Sequence, residues 1–279
     1  MPYRLPLPDR GSTYLTRQHF TLPTGPHSMF GFIRKVNGSR PALRVMAMVT
    51  TCVLYSATNH AALVINGTRV VYDGDKRSVS AIISNPSKKP FAVQTWVNTA
   101  SDDSSTTVPF IPSPALFRLN AGKEQHVQIN MLPHQLPDDR ESVFYFNIQE
   151  IPQTTKIEGG VLNIALRTRI KLFYRPSLIK GNPQTRLKEL QWSIKNIQGK
   201  PYLEVYNPSP YFVSFIRLDV SSSGHTQSPK NPPMAAPLSR QVYPLNNIKL
   251  GADIRVLFSA INDYGGFSTP LTVPVAPAN

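Results

Sequence analysis

The feature that most constrains the fold of this chain is the shortness of its apolar segments. They are rich in Val, Ile, Thr and Tyr, and Pro, Asn, Asp or Gly interrupts them at intervals of roughly ten residues. No long stretch keeps the 3.6-residue period of an amphipathic helix. The 27 prolines among 279 residues add to the turn signals. The pattern therefore predicts an all-β protein.

The predicted strands fall into two groups separated by a connector at residues 177–188. The first group comprises residues 62–74, 76–84, 91–98, 107–111, 115–119, 125–131, 143–151 and 161–174. The second group comprises residues 202–207, 211–220, 239–245, 253–261 and 271–275. Short strands at this spacing, with turns between them, are typical of immunoglobulin-like sandwiches. We therefore expect two such domains, at residues 62–178 and 183–279.

An apolar run at Val45–Ala57 has the layout of a secretory signal peptide. Small residues follow it, it is too short to span a bilayer comfortably, and it comes after Arg34, Lys35, Arg40 and Arg44. A buried core strand is the alternative. We expect residues 1–61 to be an N-terminal extension with a cleaved signal peptide, with translation beginning at Met29 and the exported chain near Ala62. Cleavage would remove the only cysteine, Cys52.

The chain is basic, with a formal net charge of +14. Residues 1–61 hold seven basic residues and one acidic residue, so the remainder still carries a net charge of +8. Such a charge favours an anionic partner or a membrane surface, although an ordinary solvated surface is an equal alternative. Basic and aromatic residues are not interleaved, and neither a zinc finger nor a basic helix is present. We expect no nucleic-acid partner and no stable membrane insertion.

Sequence motifs for catalysis and cofactor binding are missing. The chain has no Walker loop and no G-x-G-x-x-G, G-x-S-x-G or H-E-x-x-H motif, and its six histidines are scattered. The nearest candidate for acid–base chemistry is the cluster of Asp138, Asp139 and Glu141. Because Pro137 and Arg140 flank it, turn capping or ion pairing explains this cluster better. We expect no enzyme activity, no metal and no cofactor.

Four motifs together resemble the PapD-like pilus-assembly chaperones. Residues 136–152 read LPDDRESVFYFNIQEIP, which is similar to the family signature L-P-x-D-R-E-S followed by F-x-x-N and I-P. Three shorter motifs agree, namely RIKLFYRP, NPSPYFV and INDYGG, which begin at Arg169, Asn207 and Ile261. The resemblance covers nearly all of the chain after residue 61. It implies two immunoglobulin-like β-sandwich domains set at an angle, with a cleft between them.

The resemblance also implies a function. A chaperone of this family binds pilin subunits in the periplasm of a Gram-negative bacterium, completes their folds by adding a β-strand, and delivers them to an outer-membrane usher. Self-association through the same strand edge is a further implication, and the short segment Glu150–Val161 resembles the subfamily that serves rod-like pili. The alternative is a secreted immunoglobulin-like adhesion or carbohydrate-binding module. It would need an exposed aromatic platform, whereas Trp96 and Trp192 lie in strand-like apolar contexts.

By resemblance, Arg69 and Lys171 anchor the C-terminal carboxylate of the pilin. A carboxylate has two oxygens, which can accept charge-assisted hydrogen bonds from a guanidinium and an ammonium. From periodicity alone, two exposed strand charges are the alternative. The resemblance further implies a charge network that links the two domains and consists of Glu141, Arg175 and Asp263.

The same resemblance makes the predicted strand 161–174 a donor strand at a sheet edge. Its apolar residues Leu162, Ile164 and Leu166 are two apart, so they project from one face, and by resemblance they fill a groove in the pilin. The alternative is that they point into the sandwich core and leave Arg167, Arg169 and Lys171 in water. Because Lys171 and Leu166 have opposite parity, they share a face only across a bulge or strong twist.

Overall fold

The computed structural model describes residues 63–103, 105–151, 164–246, 248, 250–251 and 253–275. Within these residues the chain forms sixteen β-strands, one short α-helix and one short 3₁₀ helix. The strands make four sheets, which pack in pairs around two hydrophobic cores. The prediction of an all-β chain with two sandwiches is confirmed. Across the described residues, no helix has the length and apolar character needed to cross a membrane.

The first sandwich contains nine strands: β1 (Val64–Ile65), β2 (Arg69–Asp73), β3 (Ser78–Ser84), β4 (Phe91–Asn98), β5 (Phe110–Ser113), β6 (Leu116–Leu119), β7 (Glu124–Met131), β8 (Ser142–Ile151) and β9 (Arg167–Arg175). One sheet has the order β1-β3-β7-β5, and the other has the order β2-β9-β8-β4-β6. Alternate side chains of each sheet point into one shared core, where Val127 and Ile129 of β7 join Phe146 and Ile148 of β8. The period-2 pattern of the sequence thus forms this core.

A short helical segment connects the two sandwiches. It consists of α1 (Pro183–Arg186) and the 3₁₀ helix Leu187–Glu189. The side chain of Asn182 caps α1 by accepting a hydrogen bond of 2.8 Å from the backbone N–H of Gln184, and Pro183 occupies a position in the first turn where its missing N–H costs nothing. Local sequence signals therefore explain where this helix begins.

The second sandwich contains β10 (Gln191–Ile197), β11 (Lys200–Asn207), β12 (Phe215–Ser222), β13 (His225–Gln227), β14 (Ser239–Pro244), β15 (Arg255–Ala260) and β16 (Leu271–Pro274). Its sheets have the orders β10-β11-β14 and β13-β12-β15-β16. Trp192 lies in the core between them, with its ring centroid 5.7 Å from that of Phe215 and 5.2 Å from that of Phe258. Such aromatic contacts add stability beyond the area that they bury.

Three strand predictions from the sequence are wrong in detail. The segment 62–74 is not one strand, because β1 pairs with β3 in one sheet and β2 pairs with β9 in the other, and Gly67 with φ of +120° lies at the break. The strand predicted at 161–174 begins at Arg167 among the described residues. Strand β10 is absent from the prediction, because its alternation stops after Ile194 and the next three residues are exposed.

The pairing of β9 leaves part of one edge uncovered. Strand β8 runs antiparallel along one side of β9 from Arg167 to Tyr174. On the other side, β2 runs parallel and covers β9 only from Lys171 to Arg175. Among the described residues, Arg167–Ile170 therefore has no strand neighbour on that side. Unpaired backbone N–H and C=O groups on such an edge can accept an added strand.

Candidate functional site

Arg69 and Lys171 lie side by side although 102 positions separate them in the sequence. Arg69 begins β2 and is the register partner of Lys171 in β9. Residues that pair directly in neighbouring strands project to the same face of a sheet. The structure therefore brings together the two residues predicted to bind a carboxylate, at the point where β2 begins and the uncovered edge of β9 ends.

The guanidinium of Arg69 is positioned by contacts with both sandwiches. One amino group donates a hydrogen bond of 3.2 Å to the carbonyl oxygen of Ile261, and the guanidinium carbon lies 5.5 Å from the ring centre of Phe173. Its buried Nε has no hydrogen-bond partner among the described residues. Burial lowers the pKa of Arg69, whereas the charges of Asp263 and Glu141 raise it. The guanidinium thus has one buried donor that is left unsatisfied among the described residues.

Lys171 is a half-buried ammonium beside that guanidinium. Burial lowers the pKa of Lys171 from its ordinary value, and the neighbouring positive charge of Arg69 lowers it further. Neither Arg69 nor Lys171 forms an ion pair with any acidic side chain in the described part of the chain. Two adjacent cations without a direct ion pair among the described residues form a site whose chemistry suits an anion, in particular a carboxylate.

Glu141, Arg175 and Asp263 are also brought together, and they connect the two sandwiches. The Nε of Arg175 donates to Glu141 Oε1 at 2.8 Å, and its amino groups donate to the two oxygens of Asp263 at 2.8 and 3.0 Å. Glu141 Oε2 accepts a hydrogen bond of 2.8 Å from the backbone N–H of Phe212 in the second sandwich. This charged triad therefore holds the end of β9 against two loops of the second sandwich.

The triad is buried enough to shift the ionisation of its members. Burial raises the pKa of Glu141, and the charge of Arg175 and the Phe212 amide counteract this effect. Burial alone would lower the pKa of Arg175, but its hydrogen bonds and charge interactions with Asp263 and Glu141 raise it. The arginine therefore stays protonated and offsets part of the negative charge of the two carboxylates.

Of the three residues predicted to fill a groove in the client, the structure describes two. Leu162 lies outside the described residues. Ile164 and Leu166 precede β9, and their side chains are 62% and 50% exposed. The alternative in which these two point into the core is therefore wrong. The carbonyl oxygen of Leu166 accepts a hydrogen bond of 3.0 Å from the N–H of Glu150, so the backbone continues alongside β8.

The anchor and the exposed apolar pair do not lie on one face of a regular strand. Pairing between β8 and β9 has no register shift from Arg167 to Tyr174. Ile170 and Leu172 consequently face the core of the first sandwich, while Lys171 faces the opposite side. No bulge interrupts the pairing of β9 from Arg167 to Tyr174, so the difference in parity between Leu166 and Lys171 persists in the structure.

Two arginines of β9 have partners that the sequence analysis missed. Arg167 lies 5.0 Å above the ring of Trp96, and it donates a hydrogen bond of 3.0 Å to Asp102 and lowers the pKa of that carboxyl to about 2. Arg169 lies 3.9 Å from the ring centre of Tyr145. These side chains are therefore not simply solvated. Alternating arginines on one strand and aromatic residues on neighbouring strands were the available signal.

The acidic cluster identified in the sequence does not form one site. Asp139 pairs with Arg140 at 2.8 Å, whereas Glu141 belongs to the triad with Arg175. Across the described residues, no group of three or more His, Cys, Asp or Glu side chains is arranged to hold a metal ion. Asp139 and Glu141 therefore have separate structural partners.

Comparison with known proteins places the chain in a family. Residues 62–180 match the model described as "Pili and flagellar-assembly chaperone, PapD N-terminal domain", and residues 185–271 match the model "Pili assembly chaperone PapD, C-terminal domain". The probable fimbrial chaperone YadV of Escherichia coli K12 is 40% identical over 225 residues, which cover 77% of this chain and 91% of that protein.

Solved structures agree with this assignment. The crystal structure of YadV superimposes with a TM-score of 0.66 at 37% identity, covering 77% of this chain and all of that one. The SafB chaperone of Salmonella enterica, solved in complex with the SafA pilin, has a TM-score of 0.66 at 26% identity and covers 78% of this chain and 98% of its own. The chain belongs to the PapD-like family of pilus-assembly chaperones.

Proposed function

We propose that this chaperone binds pilin subunits in the cleft beside Arg69 and Lys171, and that it completes their fold with the uncovered edge of β9. One observation carries the proposal: among the described residues, two adjacent cations that form no direct ion pair lie where the uncovered edge ends. A terminal carboxylate is the anion expected at the end of an added strand. Strand addition of this kind is a known mode of peptide recognition.

The strand pairing also suggests the direction of the bound segment. Strand β2 is parallel to β9, and its first residue, Arg69, pairs with Lys171. A client strand on the uncovered edge lies in line with β2 and meets its first residue, Arg69. If its C-terminal carboxylate is bound by Arg69 and Lys171, the client strand runs in the same direction as β2. We therefore infer that the client adds parallel to β9.

Burial of exposed apolar residues would favour the addition of the strand. Ile164 and Leu166 continue the parity of Ile170 and Leu172, which face the core of the first sandwich. In a client that lacks a strand, such side chains would enter its core from the position of that strand. Each one buried contributes roughly 1.5–3 kcal/mol. Leu162 would add a third contact of the same kind.

Replacing the exposed apolar pair is expected to weaken client binding without unfolding the chaperone. In the variant Ile164→Thr with Leu166→Asn, pilin affinity should fall by roughly a hundredfold to ten-thousandfold, because two buried contacts are lost. The free energy of unfolding should change by less than about 0.5 kcal/mol, because both side chains are exposed. Urea unfolding and pilin titration measure the two quantities.

A matched control is available in the second sandwich. Ile197 is 42% exposed and lies at the β10–β11 turn, far along the chain from β9. Ile197→Thr should alter neither stability nor binding. A loss of several kcal/mol of stability in the double variant, or unchanged pilin binding, would contradict the groove-filling role.

Client binding is expected to weaken at alkaline pH because Lys171 loses its proton earlier than an exposed lysine. Its pKa lies below the ordinary value of 10.5, so the ammonium that contacts the carboxylate disappears as pH rises through the lowered pKa. Affinity for an N-acetylated client peptide without Lys, Tyr or Cys should therefore fall between neutral pH and about pH 10. In Lys171→Arg the profile should be flatter, because arginine stays protonated. Parallel profiles for the two proteins would exclude Lys171 as the titrating group.

Location and delivery complete the proposal. Residues 1–61 lie outside the residues that the structure describes. We propose that they direct export to the periplasm and are cleaved near Ala62. Two domains, at residues 62–178 and 183–279, would then form the working chaperone, which passes its client to an outer-membrane usher. The free chaperone would cover its own edge by self-association, since uncovered edges pair readily.

The proposed role is that of a chaperone and not of an enzyme or an adhesion module. Trp192 is buried in the second core, and Trp96 is covered by Arg167, so neither offers an aromatic platform for a sugar. The direct experiment is co-expression with a pilin subunit in the periplasm. The pilin should accumulate as a soluble complex with the chaperone, and it should be degraded or aggregate without it. Equal pilin recovery in both cases would contradict the proposal.

A further inference from the structure

A second groove lies next to the carboxylate anchor. Lys171 forms one side of it, and β12 and the loop after β13 form the other side, with a volume of about 440 Å³. The second wall includes Ile216, Arg217 and Asp219 of β12 together with Ser228. The groove is therefore open between the two sandwiches and is continuous with the ammonium of Lys171.

A β-bulge turns two consecutive residues of β12 towards this groove. In the pairing with β15, Phe215 lies opposite Ala260 and Arg217 lies opposite Ser259, so Ile216 is the extra residue. Both Ile216 and Arg217 are exposed, although successive residues of a regular strand would alternate between core and solvent. Bulges commonly redirect side chains next to binding sites. The bulge makes Arg217 available to a ligand in the groove.

A hydrogen bond holds the Nε of Arg217, whose side chain lines the groove, and leaves its two terminal nitrogens without a partner among the described residues. Its Nε donates a hydrogen bond of 2.6 Å to Asp219 Oδ2, and the other oxygen of Asp219 accepts a hydrogen bond of 2.6 Å from the hydroxyl of Ser228. Asp219 is thus fully engaged, while the two terminal amino groups of Arg217 have no partner among the described residues. A guanidinium fixed in this way can bind a carboxylate through two parallel hydrogen bonds.

We propose that Arg217 forms a second anion subsite, which binds an acidic side chain close to the C-terminus of the client. The inference rests on the proposed binding of a client carboxylate at Arg69 and Lys171. Once that terminus is fixed, the neighbouring side chains of the client that face the same side as Lys171 enter the groove. Lys171 and Arg217 give the groove a positive potential, and Asp219 is already paired. An Asp or Glu side chain of the client complements this positive potential, so the subsite selects clients that carry such a residue.

The test uses two N-acetylated peptides with free C-terminal carboxylates that differ only by Glu or Gln near the C-terminus. The chaperone should bind the Glu peptide about threefold to tenfold more tightly, since the subsite is partly exposed and the gain from a surface charge pair is modest. Arg217→Gln should abolish this preference and leave the affinity for the Gln peptide unchanged. The preference should also shrink as the salt concentration rises.

Two further variants separate this subsite from the anchor. Lys171→Ala should weaken both peptides by a similar factor and preserve the preference for Glu. Arg255→Gln, an exposed arginine at the start of the neighbouring β15, should change nothing. Equal affinity of the unaltered chaperone for the two peptides, or a preference that survives in Arg217→Gln, overturns the subsite while leaving the anchor intact. If neither peptide binds, both the anchor and the subsite are wrong.

Discussion

Replacing Arg69 or Lys171 by alanine should lower pilin affinity by roughly thirtyfold to several-thousandfold while the protein remains folded. Each change leaves a client carboxylate partly buried and short of one charged partner, which typically costs about 2–5 kcal/mol. Stability should change by about 1 kcal/mol or less, since Arg69 makes a single hydrogen bond to the backbone and Lys171 has no ion-pair partner in the described part of the chain. Pilin titration and urea unfolding measure the two effects.

Three comparisons make this prediction specific to a carboxylate anchor. Arg69→Lys should also bind weakly, because an ammonium lacks the planar fork of a guanidinium. The double alanine variant should lose less than the sum of the single losses, because both residues contact one carboxylate. A C-terminally amidated client peptide should bind the unaltered chaperone as poorly as the free peptide binds the alanine variants. Full binding by either single variant, or by the amidated peptide, would show that this pair is not the anchor.

The fold was largely predictable because local patterns determine most of it. Alternation of apolar and polar residues marks the strands, and Pro, Asn, Asp and Gly mark the turns between them. The failure at residues 62–74 has a non-local cause. Their alternation fits one strand, but the first part pairs with β3 and the second with β9, and these partners lie in different sheets. The choice between such partners is not encoded in the segment itself.

The residues of the candidate site could be named from the sequence, whereas their geometry could not. Family resemblance supplied Arg69 and Lys171, whereas their contact results from the parallel pairing of β2 with β9. No periodicity in either strand reveals that pairing. Arg217 was missed because the regular alternation through IRLDV, which begins at Ile216, suggests that Ile216 faces the core and so conceals the bulge. The adjacent pair of large apolar residues, Phe215 and Ile216, was the available signal, since a regular strand with one buried face would not place both inside.

The outer face of β9 carries both the proposed client-binding residue Lys171 and the residues that join the two sandwiches. Lys171 lies beside Arg69. Phe173 packs against Phe212 of the second sandwich, with ring centroids 5.8 Å apart, and Arg175 binds Asp263. These residues are two apart, so a single strand positions all of them. The cleft therefore has one rigid side whose spacing is fixed by the β-strand repeat. Loss of the contact at Arg175 should disturb the whole face.

Arg175→Ala is expected to destabilise the folded protein by about 3–5 kcal/mol. Glu141 is almost fully buried, and removing the arginine leaves its charge without compensation, together with that of Asp263. The loss should be largest at neutral pH. Burial raises the pKa of Glu141 above its ordinary value of 4.5, and loss of Arg175 raises it further, so the defect should shrink as pH falls through this raised pKa and should be smallest below about 4.5. Urea unfolding at several pH values measures this dependence.

The matched control is the exposed ion pair between Arg186 and Glu189, whose nitrogen and oxygen are 2.8 Å apart. Arg186→Ala should cost less than about 1 kcal/mol, because exposed pairs contribute little. Adding Glu141→Gln to Arg175→Ala should recover part of the stability, since the buried negative charge is removed while the amide can still accept the hydrogen bond from Phe212. If Arg175→Ala is no less stable than Arg186→Ala, or if its loss is independent of pH, the buried charge of Glu141 does not depend on Arg175, and the triad does not hold the sandwiches together.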